Sequence, residues 1–177
     1  MRYVVIGTSG SGKSTFSRSL AEAIRGQYIE LDRLHWAPHW TERPDSEFAE
    51  AVASNTEGNT WVVDGNYAVV RDIVWPRATH VVWLNFSRLV VFSRVFRRTL
   101  RRSLRREILW HGNRESFVRS FFTKDSIILW SFSTYRKNQL KYRAVRESGA
   151  FDHLQWHELR TPTEASHFLQ AVADKAP

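Results

Sequence analysis

The chain has no cysteine, one methionine and five prolines among its 177 residues. Lack of cysteine excludes disulfides and thiolate metal sites and makes a reducing compartment the natural setting. No apolar run approaches the roughly 18 residues needed to cross a bilayer, so no membrane association is expected. The opening "MRYVVIG" reads as a buried strand and not as a leader, which makes a cytoplasmic location the expectation. Internal repeats, low-complexity tracts and linkers are also missing, so residues 1–177 are expected to form one domain. No Ser-His-Asp or Cys-His arrangement can be argued. Acid is scarce against base. Asp and Glu number 18 and Lys and Arg 26, for a net charge of +8, which favours anionic partners such as nucleotides, nucleic acid or acidic lipids.

Apolar residues make up 42% of the chain, ordinary for a globular core. Arg2 to Ile6 is a β-branched run ending at Gly7, and Ser14 to Ile24 reads as a helix with Gly26 as its stop. "QYIELD" is the second strand. Pro44 opens a helix at its first position, running to about Glu57. "TWVVDG" and "THVVWLNF" are strands three and four. Ser87 caps a long helix reaching about Trp110, and a second long helix spans about Asp125 to Glu147. "FDHLQWHEL" is the fifth strand, and Thr161-Pro162-Thr163-Glu164 is a capping box with proline at the first helical position. Strands alternating with helices predict an α/β fold: a five-stranded parallel sheet with helices on both faces.

"GTSGSGKS", Gly7 to Ser14, matches the Walker A pattern G-x-x-x-x-G-K-[ST], and it lies between a strand and a helix N-terminus as the mechanism requires. Backbone N–H groups of Gly7, Thr8, Ser9, Gly10, Ser11, Gly12, Lys13, Ser14 and Thr15 are expected to cradle the phosphates of ATP. Lys13 would reach the β- and γ-phosphates, and the Ser14 hydroxyl would bind Mg²⁺. Ligands of open α/β sheets collect at the carboxyl ends of strands. There Asp64 is the candidate for holding Mg²⁺, and Asp32, read as ending strand two, is the candidate for orienting or deprotonating an acceptor hydroxyl. Aspartate is also common at strand ends as a plain loop cap.

With these residues in view, the chain resembles the nucleoside-monophosphate-kinase group of P-loop proteins. More closely it looks like the adenylate-kinase-related bacterial proteins of the FlaR-like or "DNA topology modulation" family. The carrying segments are the P-loop, "IELDRLHW", "WVVDGNY", "LWHGNRESF" and "ELRTP". The resemblance implies the P-loop NTPase strand order 2-3-1-4-5, Mg²⁺ near Ser14 and Asp64, and adenine against Arg160 to Pro162. It also implies phosphate-reaching arginines after strand four, where Arg94 and Arg98 match best and Arg97 is an alternative. Asn66 and Arg71, in and after "DGNY", fall where such enzymes hold the acceptor. The acceptor half departs from adenylate kinase, with "DGNY" and a Trp/His loop replacing the usual pocket, so the resemblance does not carry a nucleoside monophosphate over as acceptor.

"RVFRRTLRRSLRRE", Arg94 to Glu107, holds seven arginines spaced along one helical face. Leu89, Phe92, Phe96, Leu100, Leu104 and Ile108 fall nearly opposite and are expected to pack. Such a face suits a solvated flank, a membrane surface, nucleic acid or phosphate clamping. We read Arg94 and Arg98 as serving the triphosphate, and Arg101, Arg102, Arg105 and Arg106 as reaching a larger or acidic partner. Residues of about 95–122 would form an arginine-rich lid, with Arg114 returning to the site as it closes. His35 and His39 suit a metal pair only on a helix, which Pro38 opposes, so with Trp36 and Trp40 they are read as lining an acceptor pocket or covering the core. "KNQLKYR", Lys137 to Arg143, reads as a solvated helix face, with Arg136 as a phosphate candidate. The expected function is an ATP-binding phosphotransferase that moves the γ-phosphoryl group to a small, anionic or nucleotide acceptor. The alternatives are a nucleic-acid-binding regulatory NTPase and a P-loop kinase acting on a larger nucleotide-linked substrate.

Overall fold

The computed structural model describes residues 1–105 and 127–175, and for 98–105 and 127–133 it describes the backbone alone. Strands β1 (Arg2–Gly7), β2 (Gln27–Glu30), β3 (Trp61–Asp64), β4 (His80–Leu84) and β5 (Gln155–Leu159) form one sheet in the order β2-β3-β1-β4-β5. Every neighbouring pair is parallel. The α/β class and the 2-3-1-4-5 order expected from the sequence are therefore observed. Helices are α1 (Lys13–Ala23), α2 (Leu31–His35), α3 (Asp45–Asn55), α4 (Arg71–Val74), α5 (Arg88–Arg105), α6 (Ile127–Glu147) and α7 (Pro162–Ala173).

Side chains of a strand alternate between faces, and a parallel sheet buries both. Val4 and Ile6 of β1 join a core with Phe48 and Val52 of α3, while Tyr3 and Val5 join a second core with Phe16 and Leu20 of α1. Trp61, Trp75 and Trp83 are buried outright, each in the first of these cores. A side chain of this kind contributes about 1.5–3 kcal/mol on burial. Helix α6 serves both layers, placing Tyr142 in one core and Tyr135 in the other. No helix among the described residues is long and apolar enough to cross a membrane.

Several local expectations need correction. Strand β2 ends at Glu30, so Asp32 sits in the first turn of α2 and not at a strand end. The last rung is Glu30 against Asp64. Beyond it the partner turns away at Gly65, whose φ is +121°, and β2 has nothing left to pair with. Strand β5 starts at Gln155 and not at Phe151, because β4 offers its first rung only at His80. The α1 stop uses Arg25 at φ +50° as its left-handed residue. Gly26 follows it in extended contact with Thr60, whose Cγ2 would lie 2.9 Å from an added Cβ. Pro44 caps α3 from outside rather than opening it. At α7 the Thr161 hydroxyl accepts from the Glu164 N–H at 3.1 Å, as expected, but the Glu164 carboxylate reaches back to the Arg160 N–H.

The largest correction concerns α5. Leu89, Phe92 and Phe96, expected to pack, are 83%, 46% and 44% exposed. The helix docks instead through Val91 and Val95, both buried. A Cβ added to Gly10 of the phosphate loop would collide with Val95 Cγ2 and come within 3.0 Å of the Val91 carbonyl oxygen. Contact that close admits a valine and has no room for leucine or phenylalanine. Arg94 lies on this docked side and not opposite it. Residues 106–122 of the expected lid, with Arg106, His111 and Arg114, lie outside the described residues, as do the side chains of Arg98, Arg101, Arg102 and Arg105.

Candidate active site

The phosphate loop leaves β1 and enters α1 with Gly10 at φ +83° and Gly12 at φ +90°, a left-handed geometry that glycine adopts without steric cost. Gly12 caps α1, and its carbonyl accepts the first helical bond from Phe16 at 3.0 Å. The first N–H groups of α1 therefore converge with those of the loop, the arrangement that binds anions at helix N-termini. The Lys13 ammonium folds back on the Thr8 carbonyl at 3.3 Å. Arg94 crosses from α5 and donates to the Ser11 carbonyl at 2.8 Å, its guanidinium 5.1 Å from the Phe86 ring centre. Helix α6 adds Asn138, which donates to the Thr8 hydroxyl at 3.4 Å.

Asp64 ends β3 beside this loop and is buried. Its carboxylate accepts from the Tyr28 hydroxyl at 3.1 Å and is bonded by Ser14. Burial pushes its pKa up, and the nearby Lys13 charge and these hydrogen bonds offset only part of that shift. Tyr28 in turn is pushed well up by burial and then by the charge of Asp64. Ser14 and Asp64 together offer hard oxygen donors, the set that Mg²⁺ takes. Among the described residues no cluster of three or more His, Cys, Asp or Glu could hold a metal ion.

A cavity of about 1140 Å³ runs from the loop to the ends of β2 and β3. At one end Pro162, Ala165 and Leu169 of α7 face Phe16, and at the other lie Asp32, Asn66, Tyr67 and Lys141. Asp32 accepts a 2.7 Å hydrogen bond from the Tyr67 hydroxyl. Asn66 accepts from Arg71 Nε at 3.5 Å and its side chain also bonds Tyr142, while Arg71 Nη2 is buried with no hydrogen-bond partner among the described residues. Arg71 itself lines a narrow crevice behind Asn66, with its guanidinium 5.5 Å from the Trp75 ring centre. Lys141 is pushed down by burial first, then by the Arg71 and Lys137 charges.

The cavity thus gathers Lys13, Ser14, Asp32, Asp64, Asn66, Arg94 and Pro162, but not Arg71 or Arg160. Arg160 is exposed and pairs with Glu158 at 3.1 Å. Arg97 is exposed. His35 packs in the core against Phe48 and Tyr67, while His39 is exposed at φ +59°, so the two do not form a pair. Sequence reasoning missed Arg18, Asn138, Lys141 and the hydroxyls of Tyr28 and Tyr67. For Asn138 and Lys141 a signal existed: with Lys137 they recur at helical spacing on α6. The two tyrosines gave none, since only the tertiary fold brings them to Asp64 and Asp32.

No protein-family model and no curated protein matches the chain. Solved structures do. A shikimate kinase from Acinetobacter baumannii in complex with shikimate aligns over 98% of this chain and 91% of its own, with TM-score 0.62 and 15% identity. A gluconokinase from Sinorhizobium meliloti 1021 aligns over 98% and 94%, with TM-score 0.51 and 19% identity. The narrower resemblance to FlaR-like proteins rests on the sequence motifs alone. At these identities the likeness speaks to architecture, and the chain has the five-stranded α/β fold of the P-loop kinases.

Proposed function

We propose that this protein is an ATP-dependent phosphotransferase that moves the γ-phosphoryl group of ATP to a hydroxyl of a small anionic acceptor. The observation that carries this reading is the continuous cavity joining the phosphate loop to Asp32, Asn66 and Lys141. One end has the donors and cations for a triphosphate. The other has a carboxylate suited to a hydroxyl, and amide and ammonium donors suited to a carboxylate or phosphate of the acceptor. The two similar structures, both of kinases, support the same direction.

In this reading the loop N–H groups, Lys13 and Arg94 hold the β- and γ-phosphates, and Pro162 and Leu169 bound the base in place of the exposed Arg160. Ser14 and Asp64 would hold Mg²⁺, which supplies charge neutralisation at the phosphates. Asp32 accepts the hydrogen bond of the acceptor hydroxyl. The acceptor oxygen forms its bond to the γ-phosphorus as the bond to the β,γ-bridging oxygen breaks. The electron pair leaves with ADP, and the hydroxyl proton passes to Asp32. Lys13 and Arg94 stabilise the charge spread over the transferred group, which is where most of the catalysis of phosphoryl transfer lies. Asn66 and Lys141 would take the acceptor's anionic group, with Arg71 acting from behind through Asn66.

The test is acceptor-dependent ADP formation with Mg²⁺ and a panel of hydroxylated carboxylic acids, shikimate and gluconate first, alongside nucleoside monophosphates. We expect one class of small acid to stimulate turnover, and Lys13→Ala to lower it by about 10²–10³, as for loss of a transition-state donor. Stimulation by duplex DNA and by no small acceptor would instead favour the nucleic-acid-regulated NTPase.

A further inference from the structure

Asp32 does not stand alone in the cavity wall. Its Oδ1 accepts the Tyr67 hydroxyl at 2.7 Å, the distance of a strong hydrogen bond to a charged acceptor. Tyr67 is itself fixed. Its ring lies 4.6 Å from the His35 ring and 5.3 Å from that of Phe48, both buried. The Trp36 indole N–H also approaches the Tyr67 hydroxyl and favours its ionised form. An indole N–H only donates and an ionised carboxylate only accepts, so the polarity of the contact runs from Trp36 through Tyr67 to Asp32. Burial and the Asp32 charge push the Tyr67 phenol up, which favours the protonated hydroxyl that donates to Asp32.

We infer that Tyr67 is a positioning residue of this site: it holds Asp32 by one carboxylate oxygen and so presents the other, Oδ2, to the hydroxyl of the acceptor. The inference rests on the phosphotransferase reading above and adds a residue to it. Asp32 stands in the first turn of a five-residue helix, and a short helix at a strand end gives its side chain little support. A carboxylate turning about its χ angles would average its two oxygens over the cavity. Held by Tyr67, it has one oxygen in use and one orientation for the other, the kind of preorganisation on which phosphoryl transfer depends.

The experiment needs no identified acceptor, because ATP hydrolysis with water as acceptor is the probe. Turnover, KM for ATP and melting temperature are measured for the parent protein, Tyr67→Phe, Asp32→Asn and the double variant. Phenylalanine keeps the ring that packs on His35 and Phe48 and removes only the hydroxyl. Tyr67→Phe is expected to lower kcat about tenfold, as for modest misplacement of a reacting group, with KM for ATP unchanged. In the Asp32→Asn background the same change is expected to do almost nothing. An equal loss in both backgrounds, a rise in KM for ATP, or no loss at all would overturn the inference. A Lys13→Ala control hydrolysing ATP as fast as the parent would instead defeat the phosphotransferase reading, and the inference with it.

Discussion

Gly10→Ala is the sharpest test of how the phosphate loop is held. Position 10 is one of the unspecified places in G-x-x-x-x-G-K-S, so phosphate binding alone does not demand glycine there. Two structural features do. The residue has φ +83°, and an L-residue in that region costs about 1–2 kcal/mol. Its added Cβ would also collide with Val95 Cγ2 and sit 3.0 Å from the Val91 carbonyl oxygen. A methyl forced into a packed contact costs about 1–3 kcal/mol. The two effects act on different atoms and together give about 2–5 kcal/mol of lost stability. In a domain of this size that lowers the melting temperature by roughly 4–20 °C. Differential scanning calorimetry of Gly10→Ala, Val95→Ala and the double variant resolves the parts. Val95→Ala alone loses about 1–3 kcal/mol of packing. It also removes the methyl that Gly10→Ala strikes, so the double variant should recover about 1–3 kcal/mol relative to additivity. The strain from φ remains in both backgrounds. Strict additivity, or a Gly10→Ala protein melting with the parent, would refute the claim that α5 rests on the loop.

Two further predictions turn on titration and burial. His80 and His157 stack at 5.6 Å with 14° between their planes, and burial lowers the pKa of both, aided at His80 by the His157 charge and the chain N-terminus. The unfolded value is about 6.5. Their contribution to stability is therefore fully present above that pH and is lost as pH falls through the lower folded values, with a slope of up to about 1.4 kcal/mol per pH unit for each histidine. His157→Phe should flatten the decline in melting temperature between neutral and acidic pH, and an unchanged decline would count against the argument. Asp64 has the opposite sign problem: burial raises its pKa, so it contributes stability below the unfolded carboxylate range that is lost as pH rises through the folded value. Asp64→Asn should therefore melt no lower than the parent at neutral pH without nucleotide, while Mg²⁺-dependent ATP turnover falls. A clear drop in melting temperature would make Asp64 a structural cap.

The parts of the fold that were legible in the sequence are those fixed by local chemistry. Val4 to Ile6 alternate between two cores because any strand alternates, and Thr161 to Glu164 cap α7 because the side chains needed lie within one turn. The glycine-rich turn between β1 and α1 and the place of Asp64 at the end of β3 belong with these, since the turn is a contiguous motif and Asp64 follows directly from the strand before it. What was not legible depends on partners far along the chain. The length of β2 is set by where β3 turns away, which moved Asp32 from a strand end to a helix and gave its support to Tyr67, 35 residues on. Periodicity showed that α5 has two faces and pointed to the side of Leu89, Phe92 and Phe96 for packing, whereas the buried residues are Val91 and Val95. Larger apolar side chains are the usual choice for a core, yet it is the two valines that are buried, packed with Phe86 and Tyr135 and standing against Gly10, which has no side chain.

That choice of face also explains where the first arginine goes. Arg94 stands next to Val95 and one turn from Val91, so docking the valines on Gly10 carries Arg94 over the loop. There it donates to the Ser11 carbonyl, and its Nη1 would lie only 2.9 Å from a Cβ added at Gly12. The glycine at 10 thus sets the distance of the helix, the valines set its rotation, and the two together deliver a guanidinium to the rim of the phosphate loop. Of the seven arginines on the stripe, Arg94 is read from the sequence as serving a triphosphate, and the docking of Val91 and Val95 is what sets its guanidinium beside Ser11 and Gly12. The Gly10→Ala protein should accordingly lose more than stability. Wherever it remains folded, its displaced α5 should withdraw Arg94 from Ser11 and weaken ATP binding, and Val95→Ala should restore that binding along with the lost melting temperature.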